Sequence, residues 1–90
     1  MLIWANSAKC DLLDMQLYLL DRDTRAGLRL ALKIARKAEV LESQPRLGKP
    51  GLLEETREWS LPGLPYKLVY QLNGENVEIL RVIHQAQDWP

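Results

Sequence analysis

The last quarter of the chain contains two β-prone runs separated by a short polar loop. The runs are Tyr66–Leu72 and Val77–His84, and the sequence between them contains Asn73-Gly74. Asparagine and glycine tolerate the positive φ angles that tight hairpin turns require. The sequence therefore predicts an antiparallel hairpin, and any fold of this chain has to supply a sheet that contains it.

A short strand and a first helix are predicted at the start of the chain. Leu2–Ala5 is an apolar run that leads directly into a segment with helical periodicity, which extends to about Leu20. Asn6 or Ser7 is expected to cap this helix by accepting a hydrogen bond from a free backbone N–H group. Three leucines widen its apolar stripe enough to contact both a sheet and another helix; they are Leu13, Leu17 and Leu20.

A second helix is predicted from about Arg25 to Glu42. Asp23 or Thr24 is the expected cap, and Pro45 ends the helical region because proline cannot continue the hydrogen-bond ladder. Small side chains should let the first helix approach closely. The residues expected to face inward are Leu30, Ile34, Ala38 and Leu41.

The remaining segments complete an α+β architecture. The chain from Pro45 to Glu55 is predicted as a loop, and Thr56–Leu61 as a strand. The element order is therefore β-α-α-β-β-β, an antiparallel sheet with a helical hairpin packed on one face. Ninety residues suit one domain, spanning residues 1–90.

Composition narrows the classes of function. Twelve Lys and Arg residues balance twelve Asp and Glu residues, so the net charge gives no reason to expect non-specific attraction to nucleic acid or anionic lipid. No secretory leader and no run of eighteen apolar residues is present, so neither export by that route nor a membrane span is expected. The single cysteine, Cys10, is expected to be a buried or half-buried residue of a cytoplasmic protein, and no cofactor or metal site is predicted.

A few polar side chains on the predicted strands could carry chemistry. Arg57 and Arg81 suit bidentate recognition of phosphate or carboxylate, although ion pairing within the protein or with a partner is favoured over RNA chemistry. His84 could act in acid–base catalysis or be a structural hydrogen-bonding residue at the end of the sheet. Unless a bulge intervenes, alternation along the last strand places Ile79 and Arg81 on one face and Val82 and His84 on the other. This argues against an acid–base pair of Arg81 and His84.

Two further features of the sequence could bind a partner protein. Between Thr24 and Ala38 every charged residue is basic, and four of these residues lie on one side of the helix: Arg25, Arg29, Lys33 and Arg36. This side is either a solvated outer face or a docking site for an acidic segment of a partner. Trp89, next to the C-terminus, either folds back to pin the tail or is exposed as an anchor for a partner.

Short motifs spread over nearly the whole chain carry a family resemblance. They are Trp4-Ala-Asn-Ser-Ala8, Asp11-Leu12, Pro45-Arg-Leu-Gly48, Thr56-Arg57-Glu58, Pro65-Tyr66-Lys-Leu-Val-Tyr70, and Val77-Glu-Ile-Leu-Arg-Val-Ile-His84 followed by Asp88-Trp89-Pro90. In order and spacing they resemble the ParE branch of the RelE/ParE toxins of bacterial type II toxin–antitoxin systems. The resemblance implies the fold described above and a growth-inhibiting toxin neutralised by a cognate antitoxin.

The resemblance leaves three activities open. ParE-like members act on DNA gyrase without nuclease chemistry, which would make Arg57, Arg81, Trp89 and the basic helix side partner-binding groups. RelE-like members cut mRNA on the ribosome, and only Arg57, Arg81 and His84 match such catalytic positions here. The zero net charge favours gyrase, because a protein that works among ribosomal phosphates gains affinity from excess positive charge. The third possibility is a non-toxic co-repressor that only binds the antitoxin.

Overall fold

The computed structural model describes residues 1–90, and the β-α-α-β-β-β order is confirmed with two short additional elements. The strands and helices, in chain order, are β1 (Leu2–Trp4), α1 (Asn6–Leu19), α2 (Ala26–Ala38), α3 (Val40–Ser43), β2 (Lys49–Pro50), β3 (Thr56–Ser60), β4 (Tyr66–Asn73) and β5 (Asn76–His84). The second helix thus ends at Ala38, and α3 follows it as a separate turn. Part of the predicted loop pairs with β3 as the strand β2.

The predicted hairpin and meander form the centre of a five-stranded sheet with the order β1-β5-β4-β3-β2. Gly74 takes a φ of +65° in the turn between β4 and β5, the conformation for which the Asn-Gly sequence is suited. β3, β4 and β5 pair in antiparallel fashion, as predicted. β1 pairs with β5 in parallel, so the complete sheet is mixed.

One face of the sheet packs against the helices and forms the core. Its centre is Tyr70 on β4, which lies opposite Ile79 on β5. The predicted inward side of the second helix is confirmed for Ile34, Ala38 and Leu41, which are fully buried. The residues of this core are Ala8, Ile34, Ala38, Leu41, Leu61, Leu68, Tyr70, Val77, Ile79 and Val82.

A bulge in β5 overturns the expected alternation of side chains. Tyr70 pairs with Ile79 and Val69 pairs with Arg81, which leaves Leu80 without a partner on β4. The extra residue shifts the phase of the strand. Val82, predicted to point away from Ile79, therefore joins it in the core.

The polar groups expected to cap the helices have different roles. The N-cap position of α1 is Ala5, without a side-chain hydrogen bond, so the prediction of Asn6 or Ser7 was wrong. The Ser7 hydroxyl instead donates to the Leu80 carbonyl at 2.6 Å, because β1 ends before this part of β5 and leaves its edge free. At the second helix the N-cap position is Arg25, again without a side-chain cap hydrogen bond, so the prediction of Asp23 or Thr24 was wrong as well. Asp23 instead accepts a hydrogen bond from the backbone N–H of Arg25 at 2.9 Å.

Three leucines and the cysteine are more exposed than predicted. Leu13, Leu17 and Leu20 are each at least half exposed, and Cys10 is exposed as well. The helices cover the sheet as a single layer, and no further element lies over their outer side. Periodicity shows which residues share a helix face but not whether another layer covers that face.

The close approach of α1 and α2 depends on Gly27. A Cβ atom at this position would lie 2.5 Å from the Cα atom of Gln16. We expect Gly27→Ala to lower the free energy of unfolding by about 1–3 kcal/mol, since overpacking outweighs the helix preference of alanine. Urea unfolding measures the effect, and Lys33→Ala, at an exposed position of α2, should change stability by less than about 0.5 kcal/mol.

Candidate functional site

Arg57 and Tyr70 hold the loop that follows α3. Arg57 extends from β3 beside Tyr70, and its Nη1 donates to the carbonyl of Gly48 at 2.6 Å. The Tyr70 hydroxyl accepts from the backbone N–H of Gly48 and donates to the carbonyl of Pro45, both at 2.8 Å. Burial raises the pKa of Tyr70 above its usual value. The two side chains therefore hold the backbone of residues 45–48 in place through these hydrogen bonds.

An open cleft of about 380 Å³ lies beside this loop. Arg57 lines it together with Arg46, an exposed residue of the loop, so two guanidinium groups border one depression. Glu55, at a positive φ of 68°, adds a carboxylate to the same cleft. The cleft can contact a polar or anionic group, but it contains neither Arg81 nor His84.

Arg81 is engaged with the first helix. Its Nε and Nη2 atoms donate to the two carboxylate oxygens of Asp11 at 2.8 and 3.1 Å. The same carboxylate accepts from the backbone N–H of Val82 at 2.8 Å, and its hydrogen bond with Arg81 raises the pKa of the guanidinium. Asp11 thus links α1 to β5.

His84 lies at the exposed end of β5. Its ring is edge-on to that of Tyr66, with 6.1 Å between ring centroids, and its Nδ1 accepts from the backbone N–H of Ala86 at 3.2 Å. Its partner on β4, Tyr66, lies four residues from the partner of Arg57, a separation of about 13 Å at roughly 3.3 Å per residue. Arg57, Arg81 and His84 therefore have separate partners and line no common cleft.

The basic residues of the second helix remain accessible. We call Arg25, Arg29, Lys33 and Arg36 the cationic row; all four are exposed. Arg29 pairs with Asp23 at 2.8 Å, and the Arg25 N–H and this guanidinium lower the pKa of Asp23. The other three cations have no carboxylate within 4.0 Å. An open trough of about 400 Å³ is bordered by Arg29, Lys33, Arg36 and two neighbouring residues, Leu32 and Lys37.

The C-terminal tail returns towards the face of the sheet opposite the helices. A turn is formed where the backbone N–H of His84 bonds to the side chain of Gln87. Trp89 is half-buried and lines a cavity of about 260 Å³ with Glu58 and Lys67. The indole is therefore partly covered by the protein, and its role as an anchor for a partner stays a prediction.

The structure includes no group of three or more His, Cys, Asp or Glu side chains arranged to hold a metal ion. None of its helices is both long and apolar enough to cross a membrane.

Comparison with known structures first defines the class of protein. The "Chromosomal ParDE TA system from P. aeruginosa" contains a chain that matches with a TM-score of 0.82 at 20% identity, covering 92% of each chain. A chain of the toxin–antitoxin complex RelBE2 from Mycobacterium tuberculosis matches with a TM-score of 0.67 at 25% identity, covering 94% of this chain and 96% of that one. The fold is therefore that of the RelE/ParE toxins.

Sequence comparison then identifies the branch. The family described as "ParE toxin of type II toxin-antitoxin system, parDE" matches residues 2–89. The "Putative toxin Y4kP" of Sinorhizobium fredii (strain NBRC 101917 / NGR234) is 33% identical over 87 residues, covering 97% of this chain and 90% of that protein. The chain belongs to the ParE toxin family of type II toxin–antitoxin systems.

Proposed function

We propose that this chain is a cytoplasmic toxin that inhibits DNA gyrase by binding it, performs no bond-breaking chemistry itself, and is neutralised by a cognate antitoxin. The observation that carries the absence of catalysis is that Arg57, Arg81 and His84 have separate partners and line no common cleft. General acid–base catalysis requires groups within hydrogen-bonding reach of one reacting centre. Here Arg57 binds Gly48, Arg81 binds Asp11, and His84 contacts Tyr66 and Ala86.

Charge supports a protein target over a ribosomal one. The chain has no net charge, and the exposed cations of the cationic row are concentrated on one helix. Binding among phosphates draws affinity from neutralising several of them, which favours a strongly basic protein. Membership in the ParE family also supports gyrase as the target, because gyrase is the target that the family resemblance implies.

We expect the purified protein to inhibit supercoiling of relaxed plasmid by gyrase, or to cause gyrase-dependent DNA breaks. His84→Ala should inhibit as strongly as the unaltered protein, because the proposed action needs no acid–base group. Agarose gels of the plasmid topoisomers measure the effect. Full gyrase activity in an excess of correctly folded protein would refute the proposal.

The cleft bordered by Arg46 and Arg57 is the observation that supports a second candidate, ribosome-dependent mRNA cleavage. Two guanidinium groups on one depression can bind a phosphate. Under this alternative, mRNA is cut in a translating extract, and Arg57→Ala removes the cuts while circular dichroism remains unchanged. If induced expression damages neither DNA nor mRNA and does not slow growth, the remaining assignment is a co-repressor that only binds the antitoxin.

A further inference from the structure

The chain between α3 and β3 carries three exposed leucines on a short stretch. Leu47 is 44% exposed, Leu52 is 73% exposed and Leu53 is 45% exposed. Only the two-residue strand β2 interrupts this loop, which leaves α3 after Ser43 and enters β3 at Thr56. Large apolar side chains clustered on an exposed part of a domain mark a surface that contacts another molecule.

Two further depressions join these leucines to the cleft of about 380 Å³ that contains Arg57. Arg46 lines both that cleft and a depression of about 340 Å³ that includes Leu47. Pro50 lines both the cleft and the cavity of about 260 Å³ that includes Leu52. The cleft therefore continues into a leucine-lined depression on two sides. We call this continuous region the β2 edge surface; its members are Arg46, Leu47, Pro50, Leu52, Glu55 and Arg57.

The two guanidinium groups at the centre of the β2 edge surface are available to bind an anion. Neither Arg46 nor Arg57 has a carboxylate within 4.0 Å. Arg57 uses only its Nη1 atom for hydrogen bonds inside the protein, which leaves Nε and Nη2 as free donors. Planar guanidinium groups bind carboxylates and phosphates through paired hydrogen bonds. The centre of the surface therefore suits an anionic group.

Hydrogen bonds hold the backbone of this surface in place before any partner binds. Thr56 is buried, and its hydroxyl donates to the Leu53 carbonyl at 2.6 Å while its own carbonyl accepts from the N–H of Gly51 at 2.8 Å. The Arg57 and Tyr70 side chains hold the preceding part of the loop. A surface that is already ordered loses little conformational entropy on binding, so more of its contact energy appears as affinity.

The charges on the loop select among possible occupants. A nucleic-acid strand presents phosphates in succession, and the exposed carboxylates of Glu54 and Glu55 would repel those that flank the phosphate at the arginines. The same carboxylates oppose an anionic membrane. Neither occupant makes use of the exposed leucines. A protein segment in which an acidic side chain lies between apolar residues complements both the arginines and the leucines.

We propose that the β2 edge surface binds a segment of gyrase in which an acidic side chain lies between apolar residues. The identity of the partner rests on the proposed function, whereas the chemistry of the bound segment rests on the surface itself. Arg46 and Arg57 bind the carboxylate, and Leu47 and Leu52 contact the apolar residues on either side of it. The surface shares no lining residue with the trough of the cationic row, so it is a separate contact region of the chain.

Two short synthetic peptides test the chemistry of the surface with the full chain and without gyrase. Both carry leucines on either side of a central residue, which is aspartate in one peptide and lysine in its twin. We expect the aspartate peptide to shift the amide NMR signals of residues 46–57 and to bind at least about tenfold more tightly than the lysine twin. The absence of shifts at the highest soluble peptide concentration, shifts confined to other parts of the chain, or equal affinity for the two peptides would overturn the proposal.

Supercoiling assays with variants test the partner. Arg46→Glu and Leu52→Asp should each raise the protein concentration needed for half-inhibition of gyrase at least about tenfold. Both side chains are exposed, so we expect these variants to fold, which circular dichroism checks. Lys9→Glu and Leu13→Asp are the matched controls, because they introduce the same charges at exposed positions of α1, and they should inhibit as strongly as the unaltered protein.

The outcomes separate this proposal from the proposed function. Full inhibition of gyrase by both Arg46→Glu and Leu52→Asp would overturn the proposal and leave gyrase as the target. Preference for the aspartate peptide in a protein that leaves gyrase unaffected would support the chemistry of the surface and refute only the target. Tighter binding of single-stranded RNA than of the aspartate peptide, unchanged by Leu52→Asp, would indicate a phosphate site and overturn the proposal, as would self-association of the chain through this loop.

Discussion

Tyr70→Phe is expected to lower the free energy of unfolding by about 3 kcal/mol, although it removes a single oxygen atom. The Tyr70 hydroxyl bonds to the N–H of Gly48 and to the carbonyl of Pro45, and the residue is fully buried. Each buried backbone group left without a partner costs about 1–3 kcal/mol. Urea unfolding followed by tryptophan fluorescence measures the loss.

Tyr66→Phe is the matched control. Tyr66 lies on the same strand, is only half-buried, and its hydroxyl contributes no hydrogen bond to the loop. Its substitution should change stability by less than about 0.5 kcal/mol. Equal losses for the two variants would show that the hydroxyl of Tyr70 does not hold the loop.

The pH dependence provides a second measurement on the same variant. Burial raises the pKa of Tyr70 above 10.0, so the folded state holds this proton more tightly than the unfolded state does. The resulting stability is present below about pH 10 and is lost as the pH rises through the folded-state pKa. The unaltered protein should therefore lose stability more steeply in this alkaline range than Tyr70→Phe.

Glu58→Leu is expected to lower the free energy of unfolding by about 3 kcal/mol, because it leaves the charge of Lys67 buried without a partner. The two side chains pair at 2.8 Å and are only 8% and 12% exposed. They lie on the face of the sheet opposite the helices, next to Trp89. Chemical denaturation measures the change.

The double variant Glu58→Leu and Lys67→Met separates the cost of the unpaired charge from the contribution of the pair. Replacing both charges with apolar groups should restore most of the lost stability, since a buried ion pair contributes little beyond its own desolvation. Arg29→Ala breaks the exposed pair with Asp23 and should change stability far less than Glu58→Leu does, because solvent screens this pair. A double variant no more stable than Glu58→Leu alone would contradict this account.

Local sequence patterns were sufficient for the order of elements. The Asn-Gly turn, the two β-prone runs and the apolar positions Ile34, Ala38 and Leu41 depend on backbone preferences and on periodicity within one element. The same is true of the basic side of the second helix. Such features were predicted correctly because no distant residue is needed to produce them.

Features that depend on two elements were missed. Alternation puts Ile79 and Val82 on opposite faces only along a regular strand, and the sequence did not show where a bulge lies; the bulge at Leu80 brings Val82 into the core. Arg57 was identified as a candidate, whereas its partner, the carbonyl of Gly48, could not be found from sequence spacing. Tyr70 belongs to one of the motifs that carry the family resemblance, but its role in holding the loop at Pro45 and Gly48 is visible only in the structure.

The sequence by itself determined an α+β domain with a hairpin of helices, a meander of strands and a basic helix side. The tertiary structure decided that Arg57 and Arg81 are held by separate internal partners, and that the leucines of the hairpin remain uncovered. The physical reason is that periodicity is a property of one element, whereas burial and hydrogen-bond partners depend on which other elements pack against it.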